Sequence, residues 1–360
     1  MRKPPPGEEG GVGHAREVRR PMTGSAVAST SASEAAGGQE LAVEVDRLVK
    51  RFGDLEAVAG VSFSVRSGEV FAFLGPNGAG KSTTINVLCT LARPTSGRAC
   101  VAGFDVVTRP RAVRRRIGLV FQEQTLDQQL TAEENLRFHA VLYRVPGGEV
   151  DERIGRVLEL VGLSERRRDL VSTFSGGMAR RLEIARALLH TPKVLFLDEP
   201  TVGLDPQTRA LIWEDILRLR AEEGVTVFLT THYMDEADYA GRLAIIDHGL
   251  IVAVGAPEEL KRVVGADSVT LETADNRAAA DALGRSGRAV KATTAGLVVF
   301  VADGEAAVPG LIAEAGVAVR SVHVHRPTLD DVFMHFTGRE IRDQAGEAPS
   351  TMARAWRGRR

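Results

Sequence analysis

A chain of 360 residues with 44% hydrophobic content is long enough for two folded units, each burying its own core. Lys and Arg total 46 against 47 Asp and Glu, so the formal net charge is -1 and no overall field draws the chain to nucleic acid or anionic lipid. Cys89 and Cys100 are too few for a disulfide framework or a metal cage and read as ordinary buried thiols, and no apolar run approaches the roughly 20 residues of a membrane-spanning helix.

Residues 1–39 are rich in Pro, Gly, Ser and Ala and read as a disordered leader, because so few apolar groups cannot offset ordering entropy. Arg19-Arg20 is followed by no apolar core, which argues against an export signal. From Leu41 short apolar strands alternate with amphipathic helices, the pattern of an α/β domain with a largely parallel sheet, expected to span 40–265. A second rhythm occupies 266–340: strand 268–272, helix 277–283, strands 289–293 and 297–301, helix 305–315, strand 317–324. That βαββαβ order predicts a small α+β unit of ferredoxin-like topology. After Pro327 an amphipathic segment carries Leu329, Val332, Phe333 and Phe336 at helical spacing, and 341–360 reads as a flexible, Arg-rich tail.

The strongest chemical signal is Gly75-Pro76-Asn77-Gly78-Ala79-Gly80-Lys81-Ser82-Thr83, between an apolar strand at 70–74 and a helix-like stretch at 84–91. It is a P-loop in strand–loop–helix context: glycines turn backbone N–H groups toward phosphates, Lys81 reaches the β- and γ-phosphates, and Ser82 ligates Mg²⁺. A plain Gly-rich turn would not require Lys-Ser directly after the last glycine. A second apolar strand ends in Asp198-Glu199, which suits Asp198 to the magnesium shell and Glu199 to polarising the attacking water. Phe174-Ser175-Gly176-Gly177-Met178 then opens a helix over 179–189, a second anion-binding end that one nucleotide does not need.

With these three motifs the sequence resembles the ATP-binding subunits of ABC transporters, whose signature reads Leu-Ser-Gly-Gly-Gln. The resemblance implies a P-loop NTPase domain of ABC type with a helical subdomain, ATP and Mg²⁺ as cofactors, and a homodimer that binds ATP head to tail between Lys81 of one copy and Ser175 of the other. Phe174 and Met178 depart from the signature, and Ser-Gly-Gly-Met followed by arginines is similar to the daunorubicin-resistance subfamily of drug-efflux ATPases. Residue by residue, the resemblance implies adenine stacking for Phe52, a metal and catalytic contact for Gln122, an interface role for Asp205 in Gly203-Leu204-Asp205, and a γ-phosphate contact for His232. Leu329-Asp330-Asp331-Val332-Phe333 is similar to a Leu-Asp-Glu-Val-Phe stretch in that subfamily's C-terminal extension.

The expected function is therefore the ATP-hydrolysing subunit of an exporter of drugs, antibiotics or other hydrophobic compounds. It would sit at the cytoplasmic face of the cell membrane, joined to a separately encoded permease, with no nucleic-acid partner. The alternative is a soluble ABC-type ATPase acting on ribosomes or DNA. A single P-loop, an ordinary helical stretch between Lys81 and Ser175 and the absence of cysteines for zinc weigh against it. His323 and His325, on one side of a strand, read as surface residues, and Arg114-Arg115-Arg116 and Arg166-Arg167-Arg168 as solvated ends.

Overall fold

Alternation, interrupted by bulges, marks the first strands: β1 (Leu41–Phe52) turns Val43, Val45 and Leu48 inward, and β2 (Leu55–Arg66) does the same with Val61, Phe63 and Val65. Such half-buried alternation belongs to antiparallel pairing, and the two strands form an antiparallel hairpin. The computed structural model describes residues 40–338; the leader at 1–39 and the tail at 341–360 lie outside the described residues.

In chain order there follow β3 (Val70–Leu74), α1 (Lys81–Leu88), β4 (Ser96–Val101), β5 (Phe104–Asp105), α2 (Pro110–Arg114) and β6 (Ile117–Val120). The helical part comprises α3 (Ala132–Leu142), α4 (Val150–Leu160) and α5 (Gly176–Leu188). Then come β7 (Val194–Asp198), α6 (Pro206–Glu223), β8 (Thr226–Thr231), α7 (Met234–Ala237), β9 (Arg242–Asp247), β10 (Leu250–Gly255) and α8 (Pro257–Val264).

The expected, largely parallel sheet is the second of two. Its six strands run β10-β9-β3-β8-β7-β6, parallel except where β10 meets β9, while the first sheet is antiparallel in order β2-β1-β4-β5. The sequence reading did not separate that antiparallel layer. β3 is buried along its whole length: Phe71 and Phe73 face the antiparallel sheet with Phe63, Phe196 and Phe228, and Val70, Ala72 and Leu74 face the helices. Because β3, β8, β7 and β6 are neighbours in register, their carboxyl ends lie side by side, where a ligand crevice forms in open parallel sheets.

The remaining elements are β11 (Asp267–Thr273), α9 (Asn276–Arg285), β12 (Val290–Thr293), β13 (Gly296–Val301), α10 (Gly304–Ala315), β14 (Val319–His325) and α11 (Leu329–Thr337). The strands pair antiparallel in order β12-β13-β11-β14, the expected ferredoxin-like arrangement. Ala279 and Leu283 of α9 and Leu311 and Ala315 of α10 pack with Val269, Leu271, Leu297 and Val299. His323 and His325 are exposed.

Three expectations change. α11, read with the accessory unit, inserts Leu329, Val332 and Phe333 into the main core beside Met234, Ala237 and Leu260. Arg167 is not simply solvated: its guanidinium meets Glu133 at 2.7 Å. Cys100 is half-buried, whereas Cys89 is buried as expected.

Candidate active site

The turn after β3 is built around glycines that admit no substitute. A Cβ on Gly75 would lie 2.2 Å from the Ile246 carbonyl oxygen, and one on Gly80, at φ 107, would lie 2.4 Å from that of Ala57. Gly80 caps α1 without a side-chain hydrogen bond, so the first N–H groups of that helix remain open to an anion. Pro76, Asn77, Gly78, Ala79, Ser82 and Thr83 complete this cradle; the Ala79 N–H donates to the Pro76 carbonyl at 3.2 Å.

Lys81 Nζ donates to the Gly75 carbonyl at 2.8 Å and to that of Pro76 at 3.2 Å, and it pairs with Glu199 Oε1 at 2.9 Å. Ser82 Oγ donates to Asp198 Oδ1 at 3.1 Å. Gln122, two residues past β6, donates to Glu199 Oε2 at 3.2 Å, and His232 Nδ1, just past β8, lies 3.4 Å from Glu199 Oε1. Four strand ends thus bring Lys81, Ser82, Gln122, Asp198, Glu199 and His232 together.

Glu199 sits at φ 47, in the left-handed region that a Cβ-bearing residue occupies at a cost. Burial drives its proton affinity up, but the His232 hydrogen bond and the Lys81 ammonium outweigh burial and hold its carboxyl at about 2. Burial likewise raises the neighbouring Asp198, and the hydrogen bonds from Thr230 and Ser82 only partly offset it. For Glu199 the folded value is depressed below the ordinary 4.5. Its ionised form therefore stabilises the fold above about pH 4.5, and this contribution is lost as the pH falls through about 2. The gap in thermal midpoint between the parent and Glu199→Gln is expected to narrow over that window. A gap independent of pH would contradict the ion pair as described.

The signature lies apart from this cluster. Ser175 caps α5, accepting the Met178 N–H at 3.2 Å, and both Ser175 and Gly176 are exposed. Gly177 packs on α6 so closely that a Cβ would lie 2.2 Å from Thr208 Cγ2. Asp205 caps α6, accepting the Thr208 N–H at 3.0 Å and its hydroxyl at 2.6 Å. Among the described residues the hydrogen bonds of Ser175 and Asp205 stay local, to Met178 and Thr208, and do not reach Lys81 or Glu199. Phe174 and Met178 pack half-buried against the main core. Phe52 is exposed at the end of β1, with Lys50 Nζ 4.7 Å from its ring centre, in the hairpin whose Ala57 carbonyl abuts Gly80.

Two features escaped the sequence reading. Thr230 donates to Asp198 Oδ1 at 2.6 Å and accepts the Glu199 N–H at 3.0 Å, fixing both carboxylates to β8. The signal was a pair of hydroxyls, Thr230 and Thr231, closing the strand. Arg180, Glu183 and Arg186 are buried charges on α5, marked in sequence only by their place inside a helix dense in Ala, Ile and Leu.

Residues 58–202 match the family described as ABC transporter, and 255–337 match the family described as ATP-binding protein DrrA1-3-like, C-terminal domain. The chain is 41% identical to the daunorubicin resistance ATP-binding protein DrrA3 of Streptomyces coeruleorubidus, over 84% of this chain and 98% of that protein. It is 39% identical to the linearmycin resistance ATP-binding protein LnrL of Bacillus subtilis (84% and 100%) and 38% identical to a Nod factor export ATP-binding protein I of Burkholderia orbicola (84% and 98%). Among solved structures, cbiO1 from Clostridium perfringens, part of the cbiONQ transporter complex, superposes with a TM-score of 0.59 at 30% identity, covering 63% of this chain and 94% of that one. The ATP-binding cassette MJ1267 in its ADP conformation gives 0.55 at 31% identity, covering 61% and 92%. With the P-loop, the paired carboxylates and a DrrA-like C-terminal unit in place, this chain belongs to the ATP-binding, ATP-hydrolysing subunits of ABC transporters, in the branch of the daunorubicin resistance ATP-binding proteins.

Proposed function

We propose that this chain drives export of drugs, antibiotics or other hydrophobic compounds, as a homodimer at the cytoplasmic face of the cell membrane beneath a separately encoded permease. The observation that carries this is the pair of helix N-termini in one chain: α1 opens into the Lys81–Asp198–Glu199 cluster, whereas α5 offers Ser175 and Gly176 to solvent. A second, outward-facing anion site fits the triphosphate held by residues 75–83 of another copy, with Asp205 at the seam and Phe52 stacked on adenine. The names of the relatives, which speak of daunorubicin and linearmycin resistance and Nod factor export, support the class of cargo.

Within the site, the γ-phosphate takes Lys81 from Glu199, and the freed carboxylate orients and deprotonates the attacking water while His232 hydrogen-bonds the phosphate. Ser82, Asp198 and Gln122 supply an all-oxygen donor set suited to Mg²⁺, and a cation there relieves the buried charge of Asp198. When bound, Mg²⁺ offsets charge on the phosphates. In this reading residues 40–265 carry the ATP chemistry, and 266–340 form a regulatory or dimer-supporting unit whose last helix folds back onto the first.

Expression beside the neighbouring permease frame is expected to yield a co-purifying complex, and the complex in vesicles should accumulate a labelled hydrophobic drug only with ATP. Stable activity on ribosomes or DNA without a membrane partner would overturn the transporter assignment.

A further inference from the structure

Residues 121–125, which carry Gln122, are hung on α5 by side chains. Arg180 donates from Nη1 to the Phe121 carbonyl at 2.5 Å and from Nη2 to the Gln122 carbonyl at 2.7 Å. Glu183 accepts the Thr125 N–H at 2.7 Å and the Thr125 hydroxyl at 3.0 Å, and Arg186 donates to the Thr125 carbonyl at 3.1 Å and to its hydroxyl oxygen at 2.7 Å. Arg180 and Glu183 also meet at 2.9 Å. Among the described residues, no backbone-to-backbone hydrogen bond outside the helices and strands involves residues 121–126. The loop has the α5 side chains in place of a ladder.

All three charged side chains are buried. A buried ion pair is weak support for stability, since well-packed apolar residues commonly serve as well or better. What these groups do provide is position: a planar guanidinium spanning two successive carbonyls fixes both peptide groups at once. The helix that holds them is capped by Ser175, and Arg180 and Glu183 lie only about 8 and 12 Å along it from that cap at 1.5 Å per residue.

We propose that Arg180 and Glu183 are positioning residues that set Gln122 against Glu199, so that engagement of Ser175 by a second subunit's nucleotide is registered at Glu199 through α5. This rests on the head-to-tail homodimer and on the role given to Gln122 above. Movement of the α5 N-terminus displaces the carbonyls of 121 and 122 with it, and the Gln122 amide then changes its distance to Glu199.

A double-mutant cycle with steady-state ATPase kinetics tests this. Arg180→Lys keeps the charge but cannot hold both carbonyls in one plane; Thr125→Val keeps the shape of an exposed side chain and removes the hydroxyl. Each is expected to lower kcat about tenfold, as removal of an orienting partner does, with the KM for ATP changed less than about twofold. In a Gln122→Ala background neither should lower kcat further. Circular dichroism and thermal midpoints confirm that each variant is folded, and Thr125→Val carries the test should Arg180→Lys fail to fold. Losses that add fully to that of Gln122→Ala, or unchanged kcat in both single variants, overturn the proposal while leaving the ATPase assignment intact. A Gln122→Ala protein with parental kcat instead removes the role of Gln122, and the proposal with it.

Discussion

Glu199→Gln is expected to bind ATP and Mg²⁺ and then retain them, with hydrolysis slowed on the order of 10²- to 10⁴-fold, the usual cost of losing a general base. The amide preserves the size of the side chain and the polar surroundings of Gln122 and His232, but it accepts no proton from water. It also releases Lys81 from its counter-ion, so the ammonium is offered to the phosphates without competition. Two copies should therefore accumulate as a nucleotide-bearing dimer, visible as a doubled mass on size-exclusion with light scattering. Lys81→Ala should do the opposite: nucleotide affinity falls because a charge-assisted phosphate contact is gone. Phosphate release at the parental rate from Glu199→Gln would remove Glu199 as the base.

Phe333→Ala is expected to destabilise the whole chain by about 3–5 kcal/mol, the range for emptying a buried aromatic site. Against a total stability of about 5–15 kcal/mol, that is a large share. The ring is fully buried in the same core as Met234 and Ala237 of α7, which begins two residues after His232. Truncation after Val264 removes Leu329, Val332 and Phe333 together, and should cost nucleotide binding through loss of folding rather than by sparing a self-sufficient domain. Thermal unfolding with and without ATP reads both effects. A Phe333→Ala protein that melts with the parent would show α11 to be a passenger.

The chemistry was legible because its spacing is local. Gly75 to Thr83, Asp198-Glu199 and Ser175 to Gly177 each announce a backbone shape within a few residues, and the ends of β3 and β7 carry the first two to one edge, while Ser175 opens α5 apart from them. What was not legible depends on contacts between distant segments. Thr230 looks like any strand hydroxyl until β8 is known to lie beside β7, and Arg180 looks like one arginine among several until the 121–125 loop is seen to rest on it. The antiparallel layer was missed for a different reason. The alternation of β1 and β2 was present in the sequence, but the continuous apolar strands β3, β7 and β8 dominated the reading of the domain. For α11 the helical spacing was plain, and only its partner was misplaced.

The central place of β3 bears on how the chain is made. Its sheet neighbours are β8 and β9, and Leu74 pairs with Thr231, about 150 residues later in synthesis. At ~5–20 residues per second, β3 leaves the ribosome about 10–30 s before either neighbour exists. A five-residue strand of Val, Phe, Ala, Phe and Leu without partners is a hazard for aggregation over such an interval. The β1–β2 hairpin is complete before β3 is made, and its Phe63 lies 5.7 Å from Phe71 and 5.3 Å from Phe73, ring to ring. The β1–β2 hairpin thus offers an apolar face to the strand as it emerges, and the same face remains in the finished protein as part of its core.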